Sequence, residues 1–422
     1  MSGLHRVVVT GIGVVAPGGS SREEFWQRIV SGKPAVRRIT AFDPEPFRSR
    51  IAAECDFEPS AHGLTPRDVR RTDRFVQLAL ASADEAVRDS GLDLRAVDLD
   101  RTGVSVGTAV GSSITLEEEY VVVSDRGRDW AVHADHAMPF LHDALVPSNA
   151  ASEVAARYGA RAQAAVVSTG CTSGIDSIGH AYRLIQDGEA DVMVAGASDA
   201  PITPITVACF DAIRATTPHD GDPEEGSRPF DAERQGFVLG EGAAVLVLER
   251  LEHAVARGAR IYCEVGGYAS RANGYHMTGL RPDGLELGLA VEDALRQASV
   301  VPDDLGYISA HGSGTVQNDR HETAAYKRAL GEAAWTTPIS SIKSVVGHSL
   351  GAIGSIEMAA CALAIERGVV PPTANLTTRD PECDLDYTPL HSREADVAHA
   401  LSVGSGFGGF QSAMVFSRVG GA

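Results

Sequence analysis

The sequence predicts an α/β protein made of two related halves, on three observations. Short apolar runs of strand length alternate with helical patterns along the chain. Two pairs of stretches repeat at long range. Gly170-Cys171-Thr172-Ser173-Gly174-Ile175-Asp176-Ser177-Ile178 resembles Gly347-His348-Ser349-Leu350-Gly351-Ala352-Ile353-Gly354-Ser355-Ile356, and residues 236–249 echo residues 403–416. Length sets the scale: 422 residues fit two or three units of roughly 150, or one large fused fold, and no low-complexity linker divides them. The repeat favours duplication, with a first half over residues 1–258 and a second over residues 259–422. An interface between such halves is a natural place for chemistry.

In chain order, the β-branched run Val7-Val8-Val9-Thr10 reads as a buried strand. Gly11-Ile12-Gly13-Val14-Val15-Ala16 then matches a G-x-G-x-x-A dinucleotide fingerprint, which needs a helix to start at once; Pro17-Gly18-Gly19 breaks the helix there, so the match is rejected. Residues 74–90 carry apolar side chains at 75, 76, 78, 79, 80, 83, 86 and 87, one helical face. Residues 102–106, 164–167, 191–195, 243–248 and 306–309 are of strand length and apolar. Residues 116–147, rich in charge, His and aromatics, read as an insertion or a partner surface. Residues 397–416 lack charge and are long enough to span a bilayer, but four Gly, three Ser, His399 and Gln411 make strand–turn–strand the better reading.

Composition narrows the function classes. With 44% hydrophobic and 22% charged residues the chain is an ordinary soluble protein, and its net charge of −19 argues against nucleic acid or an anionic membrane as a bulk partner. Six Cys without a CxxC pair offer neither a metal site nor a disulfide framework, so reduced thiols and a cytoplasmic setting are expected.

The sharpest local feature is Cys171, set among small residues at a strand-to-helix turn. The helix dipole there is expected to stabilise a thiolate and lower its pKa. The same Cys also reads as a buried structural thiol, and the local sequence does not choose between the two. Two His stand in Gly-rich turns of the second half: His311 in Ala310-His311-Gly312-Ser313-Gly314-Thr315 and His348 in Lys343-Ser344-Val345-Val346-Gly347-His348. Paired with a Cys at a helix start, they form a candidate catalytic set. A rival is Gly347-His348-Ser349-Leu350-Gly351, literally G-x-S-x-G, in which Ser349 would be the nucleophile of a hydrolase or acyltransferase. Only His391 and His399 follow Ser349 to complete a triad.

Together, Thr169-Gly170-Cys171-Thr172-Ser173-Gly174, the His311 motif and the Lys343–His348 motif resemble the β-ketoacyl synthases, end to end from Val9-Thr10-Gly11-Ile12-Gly13 to Gly404-Ser405-Gly406-Phe407-Gly408-Gly409. Gly170-Cys171-Thr172-Ser173-Gly174-Ile175-Asp176-Ser177 and Gln317-Asn318-Asp319-Arg320-His321-Glu322-Thr323 look like the α ketosynthase subunit of type II aromatic polyketide synthases. Its sister subunit, the chain-length factor, lacks the nucleophilic Cys. The resemblance implies a thiolase-like fold, two pseudo-repeated halves in an α-β-α-β-α layering. It also implies decarboxylative Claisen condensation: Cys171 carries the acyl chain, and His311 and His348 donate to the enolate formed from malonyl-acyl carrier protein. The backbone N–H groups of Cys171 and Phe407 would hold the oxyanion, with Phe407 also a gate. Lys343 is implied to pair with Glu322, while Asp319 and Glu357 are assigned supporting places. Thr278, Ser313 and Thr315 would bind the 4′-phosphopantetheine arm, no cofactor being held permanently. Gln235 departs from the acid or amide common at its position.

A chain-length factor as heterodimer partner and an acyl carrier protein are implied. An acidic carrier needs a basic patch, and Arg67, Arg70 and Arg71, at i, i+3, i+4 and followed by Arg74, offer one helical face, with Arg214 a further docking position. The plain alternative is a solvated face with Arg paired to Asp68 and Asp73. A fatty-acid β-ketoacyl synthase homodimer and a non-catalytic subunit are the remaining alternatives.

Overall fold

The computed structural model describes residues 4–128 and 132–420. Ten strands form one sheet: β1 Val7–Val15, β2 Thr102–Gly107, β3 Ala164–Val167, β4 Val192–Asp199, β5 Gly242–Arg250, β6 Cys263–Ala272, β7 Leu305–Ser309, β8 Ile339–Ser340, β9 His399–Gly406 and β10 Phe410–Ser417. Strand order across the sheet is β8-β7-β9-β10-β6-β1-β5-β4-β2-β3. Counted outward from the centre, 1-5-4-2-3 and 6-10-9-7-8 are the same arrangement. In each, the first two pairings are antiparallel and the last two parallel. The halves meet along β1 and β6, antiparallel from Val7↔Val265 to Val9↔Cys263.

The first strand runs on through Val15, so the G-x-G-x-x-A stretch is extended backbone inside the sheet, every residue of it buried. Strands covered on both faces need apolar side chains on both, which is why they read as continuous rather than alternating runs. Residues 397–416 form the β9–β10 hairpin, in register from His399↔Ser417 to Gly406↔Phe410. Among the described residues no helix is long and apolar enough to cross a membrane.

Nine helices matter for the site: α1 Pro66–Arg71, α2 Arg74–Ser90, α3 Ser113–Val123, α4 Leu141–Leu145, α5 Ser173–Gln186, α6 Pro204–Ala212, α7 Leu285–Ala298, α8 Val316–Leu330 and α9 Ile353–Arg367. Helices α5 and α9 pack on each other and each touches strands of both halves, making the middle layer. Burial on every side explains the composition of α9, which is apolar around most of its circumference from Ile353 to Ile365. Helix α2 covers the first half from outside and α7 the second, completing the α-β-α-β-α order. The middle helices approach closely near their starts: a Cβ on Gly174 would lie 2.4 Å from the Ser355 nitrogen. Residues 116–147 hold most of α3 and all of α4 and leave Leu116, Tyr120, Val121, Val122, Val132 and Phe140 exposed; residues 129–131 lie outside the described residues.

Candidate active site

The strand-to-helix connection from β3 to α5 passes through one tight turn, residues 170–172. Gly170 takes φ +61°, and a Cβ there would crowd the Phe407 carbonyl at 3.0 Å, so the turn needs glycine twice over. The Ser173 hydroxyl pins the turn, accepting from the Thr169 N–H at 2.9 Å and donating to the Gly170 carbonyl at 2.6 Å. Cys171 is thereby presented to a cavity of about 210 Å³ while itself buried. The backbone N–H groups of Phe407 and of Cys171 itself favour its thiolate.

The expected lowering of the Cys171 pKa does not occur. Burial dominates and pushes the thiol up to about 11, although the Lys343 cation and the two N–H groups pull the other way. The dipole of α5 is a partial charge, whereas stripping water from a thiolate costs more than such a charge returns.

Two neutral imidazoles face the same cavity. His311 leaves the end of β7 and His348 precedes α9; their rings lie 5.3 Å apart, nearly perpendicular. The Leu350 N–H donates to His348 Nδ1 at 3.2 Å, so the ring's proton sits on Nε2. Burial, with the Lys343 charge adding to it, holds both His well below 6.5. The edge of Phe237, 5.1 Å away, packs on His348.

Behind the imidazoles, Lys343 is almost fully buried and donates to the His311 carbonyl and to Glu357. Glu357, not Glu322, is therefore its acid. Glu322 instead accepts the backbone N–H groups of His311 at 2.6 Å and Gly312 at 2.7 Å, along with the Tyr326 hydroxyl at 2.6 Å. The reason is reach: Glu322 is in the second turn of α8, directly under the His311 loop, whereas Glu357 projects from α9 at the Lys343 ammonium. Burial raises both carboxyls, Glu322 to about 7 and Glu357 to about 8.

Thr278, Ser313, Thr315 and Phe407 line the cavity with Cys171 and both His, and Arg214 is exposed at its edge. Phe407 stacks on Phe210 of α6 with centroids 6.3 Å apart. Asp319 accepts the Phe230 and Gly314 N–H groups and forms an ion pair with buried Arg234 at 3.2 Å. The predicted Arg face is only partly available. Arg67 and Arg70 are exposed on α1, but Arg71 is bound to Asp143 at 2.8 Å and Arg74 to Glu241 at 2.8 Å. Nor do Asp68 and Asp73 hold those Arg: Asp68 closes a capping box with Thr65, and Asp73 accepts the Phe75 and Thr115 N–H groups.

Ser349 is buried, its hydroxyl lacks a partner among the described residues, and the left-handed residue of its turn is Leu350. His399 bonds Ser417 on β10 and His391 is exposed, so no triad forms around Ser349 among the described residues. Sequence reasoning missed Asp199. At the end of β4, this buried carboxylate accepts the Thr108 hydroxyl at 2.6 Å and the N–H groups of Ala109 and Gly351 at 2.8 Å each, tying the His348 turn to the first half. Burial raises it to about 6. An acid closing an apolar strand was the available signal.

Residues 4–254 match the family model described as the beta-ketoacyl synthase N-terminal domain, and residues 262–377 that of its C-terminal domain. The chain is 61% identical to a putative polyketide beta-ketoacyl synthase 1 of Streptomyces cyaneus, covering 98% of both chains. It is 59% identical to the tetracenomycin polyketide synthase ketoacyl synthase alpha subunit of Streptomyces glaucescens, over 98% of this chain and 97% of that one. A 3-oxoacyl-[acyl-carrier-protein] synthase 2 of Synechocystis is 39% identical, again over 98% of both. Among solved structures, a type II polyketide synthase acyl-carrier protein in complex with its ketosynthase bound to the hexaketide has a chain superposing with a TM-score of 0.93, at 39% identity over 99% of this chain and 100% of that one. The ishigamide ketosynthase/chain length factor gives 0.91, at 34% identity over 99% and 100%.

Proposed function

The chain belongs to the β-ketoacyl synthase family, and on that premise we propose that it is the condensing α subunit of a type II polyketide synthase, with Cys171 as nucleophile. The observation that carries the reading is the convergence of Cys171 with two neutral imidazoles in one cavity. Identity of 61% to a putative polyketide beta-ketoacyl synthase 1, against 39% to a 3-oxoacyl-[acyl-carrier-protein] synthase 2, favours the polyketide subfamily over the homodimeric alternative.

The chemistry divides among the residues in three steps. Cys171 Sγ attacks the thioester carbonyl of an acyl chain on a carrier protein. The tetrahedral oxyanion is held by the N–H groups of Cys171 and Phe407, and the thiol proton leaves with the pantetheine sulfur. Malonyl on a second carrier then loses CO₂: the C–C bond to the carboxylate breaks and its electron pair becomes an enolate whose oxygen accepts from His311 and His348. The low pKa of both rings keeps them neutral donors rather than acids that would protonate the carbanion. Finally the enolate carbon attacks the Cys171 thioester, forming the new C–C bond and expelling the Cys171 thiolate, which takes one proton from solvent.

Glu322 and the Lys343–Glu357 pair hold the His311 loop from behind. Thr278, Ser313 and Thr315 line the path suited to a polar pantetheine arm. Arg214, Arg67 and Arg70, exposed and without an ion pair among the described residues, would meet an acidic carrier. A Cys-less paralogue would cover the exposed apolar side chains of α3 and the half-exposed edge strand β3. The two halves, 1–258 and 259–422, are proposed as the duplicated units.

Intact-mass analysis of the carrier after incubation with this chain, its Cys-less paralogue and malonyl-carrier protein tests the reading. Carrier-bound poly-β-ketone that disappears with Cys171→Ala is expected. Full activity of the chain alone as a homodimer would remove the polyketide assignment, and product from Cys171→Ala would remove the mechanism.

A further inference from the structure

Beneath the nucleophile turn lies a buried carboxylate that the chemistry above does not use. Asp176, in the first turn of α5, is 6% exposed and accepts four hydroxyl hydrogen bonds. Its Oδ2 accepts from Thr169 Oγ1 at 2.5 Å and from Thr172 Oγ1 at 2.8 Å, the single Thr172 O–H being shared with the Thr169 carbonyl at 2.9 Å. Its Oδ1 accepts from the Tyr268 hydroxyl at 2.9 Å and Ser412 Oγ at 2.5 Å.

The origin of those donors divides cleanly. Thr169 and Thr172 bracket Cys171 in the first half. Ser412 stands on β10, paired with Gly404 on β9, in the hairpin whose tip carries Phe407; Tyr268 lies on β6 beside it, paired with Met414 of β10. The two N–H groups that favour the Cys171 thiolate come from these same two segments, which approach closely: a Cβ on Gly406 would lie 3.3 Å from the Cys171 nitrogen. The hairpin tip is poor in side chains that could anchor it: Gly406, Gly408 and Gly409 flank Phe407, the last two at φ +95° and +87°. An oxyanion hole assembled from two halves works only if their separation is held to a fraction of an ångström.

We infer that Asp176 is a positioning residue for the oxyanion hole, its four hydroxyl bonds locking the Cys171 turn to the hairpin that presents the Phe407 N–H. Charge-assisted O–H···O⁻ bonds are short and directional, which suits one carboxylate to this clamp better than a neutral amide. The inference rests on the function proposed above and predicts a split between half-reactions. Acyl transfer to Cys171 uses the hole, whereas release of CO₂ from malonyl-carrier protein uses the imidazole pair.

Asp176→Asn is expected to slow acylation of Cys171, followed by intact mass, by ~10- to 100-fold, the scale of a misplaced reacting group. Uncoupled CO₂ release from malonyl-carrier protein should stay within about threefold of wild type. Ser412→Ala, which removes one donor from the hairpin side alone, should show the same split more weakly and serves if Asp176→Asn does not fold. Equal losses in both half-reactions, or no loss in acylation, would overturn the clamp. Wild-type enzyme that performs neither half-reaction would instead overturn the function on which it rests.

Discussion

Titrating the Cys171 thiol decides between burial and the helix dipole as the dominant influence on the nucleophile. An ordinary thiol near 9 is raised here to about 11, or ~3 kcal/mol against the thiolate. At pH 8 the thiolate fraction is then ~10⁻³ rather than ~10⁻¹. The more basic thiolate is intrinsically more nucleophilic, by ~8-fold for a Brønsted slope near 0.45, so net alkylation should run ~10-fold slower than for a free small thiol. Iodoacetamide labelling followed by peptide mapping reads Cys171 separately from the exposed Cys209. The Cys171 rate should climb steadily from pH 7 towards pH 10 without levelling off. Lys343→Met should lower it further at pH 8, because the Lys343 cation favours the thiolate. With its folded value above the unfolded one, the thiol contributes fully to stability below about pH 9 and loses that contribution as pH rises through about 11. A labelling profile that plateaus between pH 6.5 and 8 would instead make the helix dipole the stronger influence.

Four further outcomes are expected. His311→Asn and His348→Asn keep an N–H donor and should retain more malonyl decarboxylation than the Ala variants, which should lose ~10²- to 10³-fold; equal rates for Asn and Ala would mean that donation to the enolate is not what these rings supply. Because both His are held well below 6.5, decarboxylation by wild type should stay level from pH 6.5 to 8, and a rise through pH 6.5 to 7 would contradict their neutrality. Lys343→Met leaves the buried, protonated Glu357 carboxyl without its partner and should cost ~1–3 kcal/mol in chemical denaturation, most of it recovered in Lys343→Met/Glu357→Met but not in Lys343→Met/Glu322→Met. Arg214→Glu should raise KM for carrier-bound substrates several-fold and weaken its salt dependence, whereas Arg71→Glu should affect stability rather than KM; the reverse pattern would place the docking face elsewhere.

The motifs made most of the site legible. Cys171, His311 and His348 stand in turns flanked by Gly, because a connection that presents a side chain to a cavity needs small neighbours within a few positions. That requirement is local in sequence. Phe407, Thr278, Ser313 and Thr315 were legible only through the family resemblance. The duplication was legible in the two pairs of repeated stretches, whereas the strand order was not, because pairing joins segments far apart along the chain.

Pairings and protonation were a different matter. Which acid meets Lys343 depended on how α9 crosses behind the His311 loop, and no spacing along the chain separates Glu357 from Glu322 on that point. The Arg71 and Arg74 ion pairs arise because Asp143 and Glu241 come in from distant segments. The pKa of Cys171 was misjudged because a motif shows the dipole of the following helix and not the water removed from around the sulfur. By itself the sequence determined the fold class, the residues placed at the site and the chemistry they can perform. Only the tertiary structure decided which charges face each other and how dry their surroundings are, because electrostatic energies depend on distance and solvation across segments that are far apart along the chain.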